Sequence, residues 1–131
     1  MKINGKEIRF KYTVRAQLAI AALCPEKKWK NLQQLFDDSQ TDEERANNLY
    51  QVGRIMNNNF EQCARRDRGE PYDYAADYSL FTLDDYLDLT AAEEAEYEAE
   101  LIRAINGDSA RSVEAAPPKG SKKNKKAQES N

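Results

Sequence analysis

Residues 41–66 read TDEERANNLYQVGRIMNNNFEQCARR, and this stretch decides the fold. Thr41 followed three residues later by Glu44 is a capping box, in which each side chain satisfies a backbone N–H that the first turn of a helix leaves orphaned. Behind it Ala46, Leu49, Gly53, Met56, Phe60 and Cys63 recur at alternating steps of three and four, so they share one side of a long helix. A glycine inside such a helix costs about 1 kcal/mol against alanine. Gly53 therefore predicts a place where another backbone packs close.

Working toward the N-terminus, the sequence predicts a short amphipathic helix marked by Trp29, Leu32, Leu35 and Phe36. Before it, Thr13 can cap a helix over residues 14–24 that Pro25 ends. That segment is apolar nearly all round, the pattern of a buried helix, and it is the expected centre of the fold. The first residues read as a β-hairpin: Asn4-Gly5 is the strongest two-residue turn signal, and residues 6–12 alternate with Ile8, Phe10 and Tyr12 on one face. That face is expected to lie on the helix that follows it.

Working toward the C-terminus, a charged loop leads into residues 72–81, a run of tyrosines and aspartates. Thr82-Leu83-Asp84-Asp85 can start a short helix. Thr90-Ala91-Ala92-Glu93 is a second capping box, opening a last helix with Tyr97, Leu101, Ile102 and Ile105 inward and Gly107 at its stop. From Asp108 onward the chain has too little apolar content to offset its ordering entropy, which predicts a disordered, lysine-rich tail over residues 108–131. The expected architecture is mostly α with a small N-terminal β-hairpin: a compact bundle of four to five helices in residues 1–107.

Charge is unevenly spread. The chain of 131 residues has a formal net charge of −3. Residues 1–30 nevertheless hold eight basic side chains against two acidic ones, the following helices are strongly acidic, and the tail turns basic again. Such polarity suits a protein that meets charged partners, although it also suits ordinary solubility. No apolar segment is long enough to cross a membrane, and the start is charged throughout, unlike a signal peptide. Cys24 and Cys63 form no metal-type spacing and read as reduced apolar fillers.

Catalytic chemistry is sparse. The chain has no histidine, which removes the commonest general base, and no serine or cysteine sits in a recognisable nucleophile motif. Asp84, Asp85 and Asp88 read as acids offsetting a helix dipole rather than as a metal site. No phosphate-binding glycine loop is present. The expectation is a binding protein and not an enzyme, with no cofactor, no metal and no small-molecule substrate. Its candidate contact residues are Tyr72, Tyr74, Tyr78 and Phe81, because tyrosine is enriched at interface hot spots, together with Glu93, Glu96 and Glu100 on the acidic last helix.

The opening Lys2-Ile3-Asn4-Gly5-Lys6-Glu7-Ile8-Arg9-Phe10-Lys11-Tyr12-Thr13, running into an alanine/leucine helix that stops at Cys24-Pro25, resembles the start of tail assembly chaperones from long-tailed bacteriophages and prophages. The helix start at Phe81-Thr82-Leu83-Asp84-Asp85-Tyr86 and the Glu-rich last helix are similar to that pattern too. The resemblance implies binding to the tape measure protein and promotion of tail tube assembly, in the host bacterial cytoplasm and with no place in the mature virion. It also implies a longer frameshifted form, for which the lysine and asparagine codons of Lys122, Lys123, Asn124, Lys125 and Lys126 are the expected slippage region. The alternative is a small cytosolic adaptor or regulatory protein. Its contact with nucleic acid would run through the basic tail, which holds no aromatic residue to stack on bases.

Overall fold

The computed structural model describes residues 1–108. The elements are β1 (Lys2–Ile3), β2 (Lys6–Glu7), α1 (Val14–Ala21), α2 (Asp42–Asp67), α3 (Leu83–Leu87) and α4 (Ala91–Asp108), with 3-10 segments at Pro25–Lys27 and Trp29–Leu35. The chain is mostly helical, with one two-stranded antiparallel hairpin. The expected tail and its slippage region, from Lys122 to Lys126, lie outside the described residues.

Helix α2 is the axis on which the other helices pack. Its capping box is formed: Glu44 N–H donates to Thr41 Oγ1 at 3.1 Å and Thr41 N–H donates to Glu44 Oε1 at 2.9 Å. Acids in its first turn and Arg65 and Arg66 in its last complement the helix dipole. Thr82 and Thr90 make the same kind of box with Asp85 and Glu93 at the starts of α3 and α4. Tyr97, Leu101, Ile102 and Ile105 of α4 are all buried, as the spacing predicts.

Gly53 is sterically required, but the neighbour is a side chain and not a backbone. A Cβ at Gly53 would sit 1.8 Å from the hydroxyl oxygen of Tyr97. That hydroxyl donates to the Leu49 carbonyl at 2.6 Å, and the fully buried ring lies against Phe10, Phe81 and Tyr86 with centroids 5.7, 6.0 and 5.0 Å away. Tyr97 is thus the hub where the hairpin strand's continuation, α2, α3 and α4 meet.

Two elements differ from the sequence reading. The predicted helix at Trp29–Phe36 is a 3-10 helix. Trp29, Leu32 and Leu35 stand three residues apart, which is the 3-10 period, and Leu32 and Leu35 are buried. Helix α1 is not the buried centre. Only Ala16 and Ile20 are buried, while Val14 and Leu18 are 73% and 68% exposed. It packs on α2 and the Trp29–Leu35 segment from one side, and among the described residues no element covers the other.

The hairpin is also shorter than its alternation suggests, and the chain that continues it is bound by α2. Ile8 still pairs with Met1, and from Arg9 to Thr13 the chain is bound by α2. Lys11 N–H donates to the Met56 carbonyl, Asn57 Nδ2 donates to Arg9 O at 2.8 Å, and Asn59 Nδ2 donates to Lys11 O and to Thr13 Oγ1. The alternation survives, since Ile8 and Tyr12 are buried and Phe10 packs on Tyr97. A helix face of amides replaces the missing strand. None of the described helices is long and apolar enough to cross a membrane.

Candidate contact surface

Asn57, which binds Arg9 on one side, also binds residues 72–81, and Asn58 and Gln62 join it in setting that segment's course. Asn57 Oδ1 accepts from Leu80 N–H at 2.7 Å, Asn58 Oδ1 accepts from Tyr78 N–H at 2.6 Å, and Gln62 Nε2 donates to the carbonyls of Tyr74 and Ala76. Asn57, Asn59 and Gln62 are buried, and each polar partner explains why a polar residue sits there. Asp73 Oδ1 accepts from Ala75 N–H and Asp77 Oδ1 from Ser79 N–H, so two local turns fold the segment between its anchors.

This scaffold presents three tyrosines. Tyr74 is 47% exposed and its ring meets that of Tyr72 edge-on, with the two hydroxyls 3.2 Å apart. The Arg15 guanidinium lies 3.7 Å from the Tyr74 ring centre and that of Arg65 lies 4.4 Å from the Tyr78 ring centre. The Tyr78 hydroxyl accepts from Asp73 N–H at 2.9 Å. Hydrogen bonding to Tyr74 pushes the Tyr72 phenol above its ordinary pKa, with slight burial acting in the same direction. Burial alone would raise the Asp77 carboxyl, but hydrogen bonds from Ser79 and the Arg54 guanidinium at 3.1 Å outweigh it and hold it low. Arg15, Ala16, Ala19, Arg54, Ile55, Asn58, Asn59, Gln62 and Tyr74 enclose an open cleft of about 220 Å³ between α1 and α2.

Phe81 does not belong to this surface. It is 3% exposed and packs edge-on against Tyr50 and Tyr97, so it is a core residue that no partner reaches. The acidic candidates stand elsewhere. Glu93 caps α4 and lines a polar cleft with Lys2, Asn4, Asp85, Asp88 and Leu89. Glu96 is exposed and Glu100 pairs with Arg103. Glu94 and Glu98 act inward: Tyr86 Oη donates to Glu94, and Arg45 joins Glu98 at 2.9 Å. Tyr72, Tyr74 and Tyr78 thus come together with arginines, whereas the glutamates form a separate face.

Sequence reasoning missed Arg15, Arg65 and Asn58, which order the tyrosines. Arg15 carried a signal, being the one charged residue in the apolar segment of α1. Cys24 is buried and Cys63 half-buried, both as free thiols, and burial pushes the Cys24 thiol up. Among the described residues no three His, Cys, Asp or Glu side chains cluster as a metal site would need. No protein-family model, curated protein or solved structure matches the chain.

Proposed function

We propose that the chain is a tail assembly chaperone of a long-tailed phage, which binds the tape measure protein in the host bacterial cytoplasm and promotes tail tube assembly around it. The observation that carries the reading is the Arg15–Tyr74 cleft. Ala16, Ala19 and Ile55 give its lining aliphatic surface, the buried Asn59 and Gln62 lie among them, and Arg15, Arg54, Asn58 and Tyr74 add further polar groups. A groove of that mixed composition suits an amphipathic helix, whose apolar stripe meets the aliphatic lining and whose polar flanks meet the polar groups. Tyr74 is held in place by Arg15 before any partner arrives, which lowers the ordering cost of contact. A surface this small gives weak binding, and a chaperone that must leave requires weak binding.

Co-expression with a tape measure segment tests the reading. The segment is expected to move from the insoluble to the soluble fraction and to copurify with the chain. The double variant Arg15→Ser, Tyr74→Ser, both at exposed positions, is expected to lose most of that effect while keeping its helical circular dichroism. A segment that stays equally insoluble with and without the chain overturns the proposal.

A further inference from the structure

The amides of α2 are not used alike. Asn57 commits both ends to backbone, donating to Arg9 O and accepting from Leu80 N–H. Asn58, Asn59 and Gln62 each commit one end only. Asn58 Oδ1 accepts from Tyr78 N–H at 2.6 Å, Asn59 Nδ2 donates to Thr13 Oγ1 at 2.7 Å and to Lys11 O at 3.3 Å, and Gln62 Nε2 donates to the Tyr74 and Ala76 carbonyls. These partners fix which way round each amide sits. Left over are one donor, Asn58 Nδ2, and two acceptors, Asn59 Oδ1 and Gln62 Oε1, none of which meets a partner among the described residues. All three residues line the Arg15–Tyr74 cleft, and Asn57 does not. Asn59 and Gln62 are 5% and 2% exposed, so the cleft they line is the opening through which a ligand reaches them.

The leftover groups select among ligands by their chemistry. A cation would suit the two acceptors, but the lining includes two guanidiniums, one of them paired with Asp77, and no carboxylate. A carboxylate would suit Arg15 and Asn58 but would turn lone pairs toward Asn59 Oδ1 and Gln62 Oε1. Arg15 is exposed, where an ion pair contributes little, whereas leaving two buried acceptors facing an anion costs more. A hydroxyl supplies one donor for two acceptors. A primary carboxamide is neutral, and it carries two N–H donors and one carbonyl acceptor, the complement of what the cleft leaves free. The cleft, about 220 Å³, is smaller than the roughly 300–1,000 Å³ of small-molecule sites. One protruding side chain therefore suits it better than a whole metabolite.

We propose that the cleft is a carboxamide subsite, which takes the side chain of a partner's glutamine or asparagine. The partner's NH2 group donates to Asn59 Oδ1 and Gln62 Oε1, and its carbonyl accepts from Asn58 Nδ2. Ala19 and Ile55 meet the methylenes behind the amide. The subsite discriminates because the isosteric acid leaves the two buried acceptors unmet. That the carboxamide is carried by the tape measure protein rests on the reading above; the subsite itself does not.

Nuclear magnetic resonance titration of the full chain with propionamide, propionate and propylammonium tests this without any partner protein. So small a probe binds weakly, so each titration runs to about 0.1 M. Propionamide is expected to shift the side-chain amide signals of Asn58, Asn59 and Gln62 and to bind at least tenfold more tightly than either charged probe. Asn58→Asp keeps an oxygen for Tyr78 N–H but turns the free donor into an acceptor and adds a negative charge. With its fold checked by circular dichroism, this variant is expected to prefer propylammonium over propionamide. Equal responses to the three probes, a preference for propionate, no response at all, or an unchanged order in Asn58→Asp each overturn the proposal. The co-expression test separates the two readings. Rescue of the tape measure segment without a propionamide preference removes the subsite alone, and the preference without rescue removes the tape measure reading alone.

Discussion

The two halves of α2 hold the molecule by different means. Its N-terminal half offers Leu49, Tyr50 and the bare backbone of Gly53 to the Tyr97 ring, and the attraction there is apolar contact and exclusion of water. Its C-terminal half offers Asn57, Asn58, Asn59 and Gln62, and the attraction there is a set of directed hydrogen bonds to backbone. Apolar contact decides which helices join. The amides decide where the two non-helical segments run, and so where Tyr74 and Tyr78 stand. A fold can thus separate its glue from its positioning along a single helix.

The largest expected effect lies in the hub. Gly53→Ala gains helix propensity yet forces the Tyr97 ring off its seat, and should destabilise the protein by roughly 3 kcal/mol in urea unfolding. Adding Tyr97→Phe removes the nearest clashing atom and should recover roughly 1 kcal/mol through coupling between the sites. A Gly53→Ala protein as stable as the wild type would break the comparison on its apolar side.

The amide half should respond next. Asn57→Ala leaves Arg9 O and Leu80 N–H without their partner in a half-buried place, which should cost about 2 kcal/mol. The pH response sharpens the contrast, because only the hub can titrate. Burial raises the Tyr97 phenol well above its ordinary value, and burial followed by the Glu94 charge raises Tyr86. The folded state keeps those protons after the unfolded chain releases its own. Stability from these groups is therefore fully present below about pH 10. It should fall above that by up to about 1.4 kcal/mol per pH unit for each phenol. The Asn57→Ala protein should show the same slope from a lower starting stability, and urea titrations at several pH values would reveal any difference. The smallest effect is expected at half-buried Asn58, where replacement by alanine should cost about 1 kcal/mol. It should also speed hydrogen exchange at the Tyr78 amide without changing the exchange of α4.

The apolar half was legible in the sequence because burial of Leu49, Met56, Tyr97 and Ile105 follows helical spacing. The capping boxes at Thr41 and Thr90 were legible because their chemistry is local. The amide half was not. Three consecutive asparagines carry no burial signal of their own, and only the distant backbone they bind explains Asn57 and Asn59 in the interior. Gly53 announced a close approach without saying that a ring made it. The alanines of α1 misled for a related reason: an apolar composition shows that a helix can be covered, not that anything covers it. Among the candidate contact residues the tyrosines stand at the surface together, while Phe81, adjacent in sequence, turns into the hub.

Asn57 also bears on the order in which the chain assembles. Its side chain reaches Arg9, 48 residues earlier, and Leu80, 23 residues later. Closing loops of that length costs more entropy than forming a capped helix, so α2 is expected to take shape before either segment finds it. Both segments then dock on one finished amide, its nitrogen committed to the first and its oxygen to the second. By loop length the tyrosine segment, 23 residues from Asn57, is expected to find the helix before the N-terminal segment, 48 residues away.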